Sequence, residues 1–174
     1  MSASEPAALG EKGKRAYQQG RYSEAAESFR QAAEGFTLGR AGLLAAEMKN
    51  NQSVALLKAG EARPALEAAL GTDAVFAGAG DARREGMALG NIAAAREAMG
   101  ELDEALALYQ RAADRFAEAR EGDLRATVLK SAAAIHLNQG RLTQSGLKMM
   151  GALEAEPRPR LFQRLLRTVL RIRK

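Results

Sequence analysis

Cysteine and tryptophan are absent from this 174-residue chain, and proline occurs only four times. Without cysteine there is no disulfide, no thiolate nucleophile and no cysteine-ligated metal, and the single histidine has no second histidine to share a metal with. Aromatic residues make up 5% of the sequence and no run of β-branched residues suggests a strand, so a sheet is not expected. The 47% hydrophobic content comes mainly from alanine, which favours closely packed helices.

Long apolar runs are also missing. The first residues, MSASEPAALGEKGKR, show no basic stretch followed by an apolar one, and nowhere do about 18 apolar residues follow one another. Neither a secretory signal nor a membrane span is therefore predicted. We expect a cytoplasmic protein, peripheral at a membrane only if its C-terminal segment binds one.

Glycines recur every forty residues, at positions 20, 60, 100 and 140. In residues 89–112, LGNIAAAREAMGELDEALALYQRA, an apolar pattern of helical spacing stops at Gly100 and then resumes. Two, five, nine and twelve residues after the glycine lie a bulky residue, an alanine, an aromatic residue and an alanine, and a small residue precedes it by seven. The first and third units share this pattern, with Tyr22, Ala25, Phe29, Ala32 and with Leu102, Ala105, Tyr109, Ala112.

The second and fourth units follow the pattern less closely. The fourth has Leu142, Ser145, Met149 and Ala152 at these positions. The second has Ala69 in place of the aromatic residue, so we expect its core either to be thinner there or to be filled by Phe76. We also expect the helix to fray or bend in the segment that contains Gly71, Gly78 and Gly80. Gly122-Asp123 is expected to repeat the Gly80-Asp81 junction and to start the next helix.

The pattern resembles the tetratricopeptide repeat family, in the longer variant of kinesin light chains and some bacterial arrays. This resemblance implies an all-α, right-handed superhelical solenoid of four helix–turn–helix repeats in residues 1–157, plus a C-terminal amphipathic helix in residues 158–174. The units would span about 4–38, 40–78, 81–121 and 123–156. HEAT-type repeats have a similar period but lack the pattern anchored on glycine, so they are the second interpretation.

The resemblance further implies a non-catalytic scaffold, adaptor or assembly factor that binds a segment of a partner protein or peptide in a concave groove. We expect no enzyme, no cofactor and no metal. His136 occupies a position where the family has a large packing residue, so we interpret it as a packed histidine rather than a general base. The alternative function is a subunit or peripheral membrane-associated component of a larger complex, tethered through the C-terminal helix.

Two asparagines are the first candidates for the groove. Asn51 and Asn91 lie nine residues before Gly60 and Gly100, the register at which peptide-binding relatives hold a peptide backbone with a carboxamide that both donates and accepts. Five further residues would make the groove polar and mildly basic, or are simply solvated: Lys14, Asn50, Lys58, Lys130 and Asn138. The basic clamp by which chaperone-binding relatives hold a C-terminal carboxylate is not reproduced here.

The last seventeen residues, 158–174, carry seven lysines and arginines and no acid, whereas the rest of the chain has 19 basic and 21 acidic residues. On a helix, the apolar residues of this segment occupy one half. The other half carries Arg160, Arg164, Arg167 and Arg171. Three roles remain open for the segment: a cap on the solenoid, contact with an anionic membrane, or contact with an acidic partner, in preference to nucleic acid.

Overall fold

The computed structural model describes residues 4–156, and within that range the chain forms nine helices and no strand. They form four units: α1 (Ser4–Gln18) and α2 (Tyr22–Leu38) in unit 1; α3 (Gly42–Lys58), α4 (Ala62–Ala69) and α5 (Thr72–Gly78) in unit 2; α6 (Ala82–Ala98) and α7 (Leu102–Glu118) in unit 3; α8 (Gly122–Asn138) and α9 (Leu142–Ala155) in unit 4. Among these residues no helix combines the length and the hydropathy that crossing a bilayer needs.

The helices repeat with the period that the glycines predict. The first helices α3, α6 and α8 begin at residues 42, 82 and 122, and the second helices α2, α4, α7 and α9 begin at 22, 62, 102 and 142. Each helix packs against a neighbour in the sequence, and α6 also contacts α3 and α4. The prediction of an all-α, solenoid-like stack of helices is therefore confirmed.

A left-handed residue ends a helix at every twentieth position from 20 to 140, with φ between +56° and +83°. In the turn at Gly100, the N–H of Glu101 donates to the carbonyl of Arg96 at 2.9 Å, and the N–H of Gly100 donates to the carbonyl of Glu97 at 2.9 Å. This pair of bonds is a Schellman motif, which satisfies the last carbonyls of the helix and reverses the chain. The same pair of bonds recurs at all seven turns.

Two of these seven positions hold arginine rather than glycine. Arg40 has φ +56° and Arg120 has φ +58°, although glycines stand close by in the sequence. The prediction that Gly122-Asp123 repeats the Gly80-Asp81 junction is therefore wrong, because the turn is formed two residues earlier, at Arg120. The prediction that a helix starts at Gly122-Asp123 is confirmed, since Gly122 is the first residue of α8. The turn position is set by the 40-residue period rather than by where a glycine is present.

The predicted bend at Gly71 is confirmed, and it divides the second helix of unit 2 into two. Leu70 has extended ψ, Gly71 has φ +80°, and α5 begins at the next residue. As a result α4 is 8 residues long, whereas α2 and α7 have 17 residues each.

Small residues and rings alternate in the core, as close helix packing requires. In unit 1, a Cβ atom at Gly13 would lie 2.8 Å from the Phe29 ring, so only glycine allows α1 to approach α2 this closely. A second set of rings, which the sequence pattern did not single out, stands sixteen residues after the glycines at Phe36, Phe76 and Phe116. Gly86 accommodates Phe116 in the same way, at 2.8 Å.

In unit 2, the space beside Ala69 is filled by residues of unit 3 and not by Phe76. Ala69 is fully buried in the same apolar cluster as Leu66 of α4 and Ile92 of α6. Phe76 belongs to a separate cluster with Ala46 and Ala88. The expectation that Phe76 replaces the missing aromatic residue is therefore wrong, and α4 instead lies directly against α6.

The turns generate a stability prediction. Arg40→Gly and Arg120→Gly should each raise the free energy of unfolding by about 0.5–1 kcal/mol, because a left-handed conformation costs a residue with a Cβ about 1–2 kcal/mol and the entropy of unfolded glycine offsets about half of that. Urea denaturation followed by circular dichroism measures the change.

Arg120→Ala is the matched control, since it removes the side chain but keeps the Cβ, and it should leave the stability nearly unchanged. Gly100→Ala should lower it by about 1 kcal/mol, because no atom lies within 4 Å of the added Cβ and only backbone strain acts there. Glycine variants no more stable than the alanine control would contradict this account.

Candidate functional site

The candidate site lies on the surface built from the first helices α1, α3, α6 and α8, which we call the first-helix face. Residues in the same register of the repeat take equivalent places along it. Nine residues before the turn glycines stand Glu11, Asn51, Asn91 and Ser131; the first is exposed and the other three are half-buried. The two asparagines thus keep part of their surface accessible to a partner.

A cavity of about 230 Å³ opens on this face between α1 and α3. We call it the α1/α3 cavity. It brings together two of the predicted residues, Lys14 and Asn51, although they are 37 positions apart in the sequence. Its remaining lining consists of Tyr17, Gln18, Phe29 and Val54.

The apolar wall of the α1/α3 cavity is held in place by its neighbours. Phe29 is 3% exposed, and its ring lies against the backbone of α1 at Gly13. Tyr17 makes an edge-to-face contact with Tyr22, with ring centroids 5.4 Å apart. Aromatic pairs in this geometry contribute beyond their buried area, so the wall is formed before any ligand arrives.

The rim of the cavity carries one cation whose charge is already matched. The Nζ of Lys14 lies 2.7 Å from the Glu11 carboxylate, one turn away on the same helix. The hydrogen bond that Lys14 donates to Glu11 raises the pKa of Lys14, with a further contribution from Glu47, and the same pairing lowers the pKa of Glu11. Both side chains are exposed, so the pair contributes little to stability.

The other predicted cations and amides are placed differently. Lys58 and Asn138 are the last residues of α3 and α8, and both are exposed. Lys130 is half-buried and forms an ion pair with Glu156, the residue that follows α9. The predicted contact residues Arg160, Arg164, Arg167 and Arg171 lie outside the described residues.

Asn50 does not belong to the accessible part of the site. It is only 6% exposed, and its Oδ1 lies 3.1 Å from the hydroxyl of Thr72, which also donates to the carbonyl of Ala69 at 2.7 Å. Thr72 reaches Asn50 because the break at Gly71 starts a new helix there. Asn50 therefore does not belong to the proposed binding surface, although the sequence predicted it there, and contributes instead to packing between α3 and α5.

Four residues of the α1/α3 cavity were not predicted. A helical signal was available for three of them, since Tyr17 and Gln18 follow Lys14 by three and four positions, and Val54 follows Asn51 by three. Residues at these spacings share a helix face. Phe29 was predicted only as a core residue, and its second role at the base of the cavity depends on how α1 and α3 meet.

Comparison with known proteins finds a similarity in one part of the chain. Residues 84–145, from the start of α6 into α9, match the family model described as Tetratricopeptide repeat. Residues 84–145 are therefore similar to tetratricopeptide repeats. No curated protein matches the chain.

Tetratricopeptide repeats are in general protein–protein interaction modules, and the family typically serves as a non-catalytic scaffold. The matched stretch covers unit 3 and the first helix of unit 4. Units 1 and 2 lie outside it, but they share its 40-residue helix phase and its Schellman turns. The α1/α3 cavity therefore lies in the same architecture as the matched repeats.

The single histidine of the chain is buried between helices of the array. His136 is 9% exposed, and its Nδ1 has no hydrogen-bond partner among the described residues. Burial, followed by the nearby Arg141 and Lys148, lowers the pKa of His136, and Asp103 opposes this effect. The prediction of a packed histidine agrees with its burial. Within residues 4–156, no three histidine or acidic side chains are grouped to hold a metal ion.

His136 generates a prediction about pH. Its pKa is lower in the folded than in the unfolded state, so the unfolded state binds more protons once the pH falls below the ordinary histidine pKa of about 6.5. The free energy of unfolding should therefore be greatest above that pH and should decrease as the pH falls below it toward the lowered pKa of the folded state. His136→Gln should remove much of this decrease. A variant that keeps the whole slope would show that another group is responsible.

Proposed function

We propose that this protein is a non-catalytic interaction scaffold, an adaptor or assembly factor, that binds a segment of a partner protein along the first-helix face. The observation that carries the proposal is the α1/α3 cavity, in which Asn51 and Lys14 from different units line one preformed depression. A preformed site lowers the ordering cost of binding, which favours a short partner segment as ligand.

The chemistry of the two asparagines supports an extended backbone as the bound element. A carboxamide both donates and accepts, so one asparagine can satisfy the N–H and C=O groups of a single peptide unit. Asn51 and Asn91 repeat this group in neighbouring units, on helices α3 and α6 that contact each other. Two carboxamides at the same register of successive repeats are suited to bind two peptide groups of a segment that runs along the array.

Another surface supports the alternative function, a subunit or peripheral membrane-associated component tethered by the basic C-terminal segment. Unit 4 exposes three leucines, with Leu137 at 56%, Leu142 at 69% and Leu147 at 56%. Exposed apolar surface of this kind is usually covered by another element or partner. Affinity capture from the native cell, with and without residues 158–174, tests whether that segment recruits the complex.

We propose that residues 158–174 cover the three exposed leucines of unit 4. The segment begins two residues after Glu156, and the helical period of its sequence places seven apolar residues on one side. Solenoids require a terminal element with a polar outer side, and the arginines of the segment would supply it.

The first functional prediction concerns the asparagines. Asn51→Ala combined with Asn91→Ala should weaken binding of a selected partner peptide by about tenfold to thirtyfold, since each lost hydrogen bond contributes about 1 kcal/mol. Peptides for this assay come from a displayed library of random 12-residue sequences selected on the parent protein. Isothermal titration measures affinity, and the melting temperature should stay nearly unchanged.

Asn50→Ala is the matched control, because it removes the same group one residue away from Asn51. It should lower the free energy of unfolding by about 1 kcal/mol through the lost contact with Thr72, yet leave peptide affinity unchanged. A double variant at Asn51 and Asn91 that binds as tightly as the parent would count against the first-helix face.

The second functional prediction concerns the C-terminal segment. Deleting residues 160–174 should lower the melting temperature and promote self-association, because the leucines of unit 4 lose their cover. Calorimetry and sedimentation velocity measure the two effects. A truncated protein that melts like the parent would overturn the capping proposal.

Charge reversal separates capping from surface binding. Changing Arg164, Arg167 and Arg171 to glutamate leaves the apolar side of the segment intact. If the segment caps the array, the melting temperature of the protein should therefore change little. The same change should abolish co-sedimentation with vesicles containing anionic lipid, or binding to an acidic partner, if the arginines make that contact.

A further inference from the structure

The α1/α3 cavity has an equivalent place two repeats further along the same chain. Adding 80 residues, two periods, to each lining position gives the equivalent place between α6 and α8, which we call the α6/α8 position. The cavity residues Lys14, Tyr17, Gln18, Phe29, Asn51 and Val54 correspond there to Ala94, Glu97, Ala98, Tyr109, Ser131 and Ala134. The backbone is equivalent because α2 and α7 are both unbroken helices of 17 residues.

The α6/α8 position is occupied by a polar network of the chain itself. The hydroxyl of Tyr109 donates to the Glu97 carboxylate at 2.6 Å, and Ser131 is a further hydrogen-bond partner of that hydroxyl. Burial, with a contribution from Glu97, raises the pKa of Tyr109, so the hydroxyl stays protonated. An apolar side chain placed here would cover a carboxylate, and removing a charge from water is costly.

The α1/α3 cavity has no such network. Phe29 replaces Tyr109 and brings no hydroxyl, while Tyr17 replaces Glu97 and brings no charge. The cavity volume of about 230 Å³ is smaller than the roughly 300–1,000 Å³ of pockets that take whole small ligands, so a single side chain is the fitting occupant.

The charges on the rim also select the occupant. The ammonium group of Lys14 already pairs with Glu11 at 2.7 Å, so an anionic group of a partner would compete with that carboxylate. The carboxamide of Asn51 at the rim is suited to the peptide groups next to a bound side chain.

We propose that the α1/α3 cavity binds one large apolar side chain, of the leucine or phenylalanine type, from the partner segment, and that the α6/α8 position does not. This inference rests on the proposed function and deepens it: the α1/α3 cavity is an apolar anchor point near the N-terminal end of the array. The rest of the segment is held through its backbone, so the partner is recognised by one large apolar residue in an extended stretch.

Blocked amino acids test the cavity without any known partner. In nitrogen–proton correlation spectra of the full chain, N-acetyl-leucinamide and N-acetyl-phenylalaninamide should shift the amides of Asn51 and Val54 in a saturable way. N-acetylglycinamide, which lacks the side chain, should not. Equal shifts at Ala94 and Ser131, or saturable shifts from the glycine compound, would overturn the proposal.

Filling the cavity tests the same point with peptides. Val54→Phe should weaken binding of library-selected peptides at least tenfold, and so should alanine in place of the large apolar residue that they share. Ala134→Phe, the matched control 80 residues on, should change affinity less than twofold. Circular dichroism and melting curves check that both variants fold.

The outcomes separate the two proposals. Peptides that bind through Asn51 and Asn91 but ignore Val54→Phe, or that require an acidic rather than an apolar residue, would overturn the anchor and leave the scaffold function intact. Failure to select any peptide would contradict the proposed function, and the blocked amino acids would then still decide whether the cavity binds an apolar side chain.

Discussion

The whole array depends on one backbone constraint, a left-handed residue at every twentieth position. Each such residue closes a Schellman motif, which ends one helix and reverses the chain before the next. Because the turns are in phase, equivalent residues of successive units have equivalent positions on the array. The constraint is strong enough that Arg40 and Arg120 adopt the left-handed conformation despite its cost. Side chains on the first helices are then free to vary, and their variation defines the site.

Because of this variation, the α1/α3 cavity and the α6/α8 position differ in polarity. Where unit 1 has Phe29 and Tyr17, the protein has an apolar depression, and where unit 3 has Tyr109 and Glu97, it has a hydrogen-bonded polar group. The backbone is the same at both places, so the difference lies in a few side chains. A repeat scaffold can in this way confine apolar recognition to one end while keeping backbone recognition along its length.

The sequence was sufficient for the features that repeat. The phase of the glycines predicted the period of the helices, and Gly13 and Phe29, which pack together, occupy the small and the aromatic position of the repeat pattern. It was not sufficient where a residue departs from the repeat. Nothing in the residue type marks Arg120 as left-handed, and Asn50 is buried only because the break at Gly71 brings Thr72 to it. The α1/α3 cavity requires the approach of two helices, which local periodicity does not contain.

The central claim, that a partner segment lies on the first-helix face, can be measured by site-specific photocrosslinking in the native cell. A benzophenone amino acid at position 18, on the rim of the α1/α3 cavity, should give a discrete adduct with a partner protein. The same probe at position 67, an exposed residue of the second helix α4, should give none. Adducts from position 67 and none from position 18 would place the binding surface on the second helices and contradict the account.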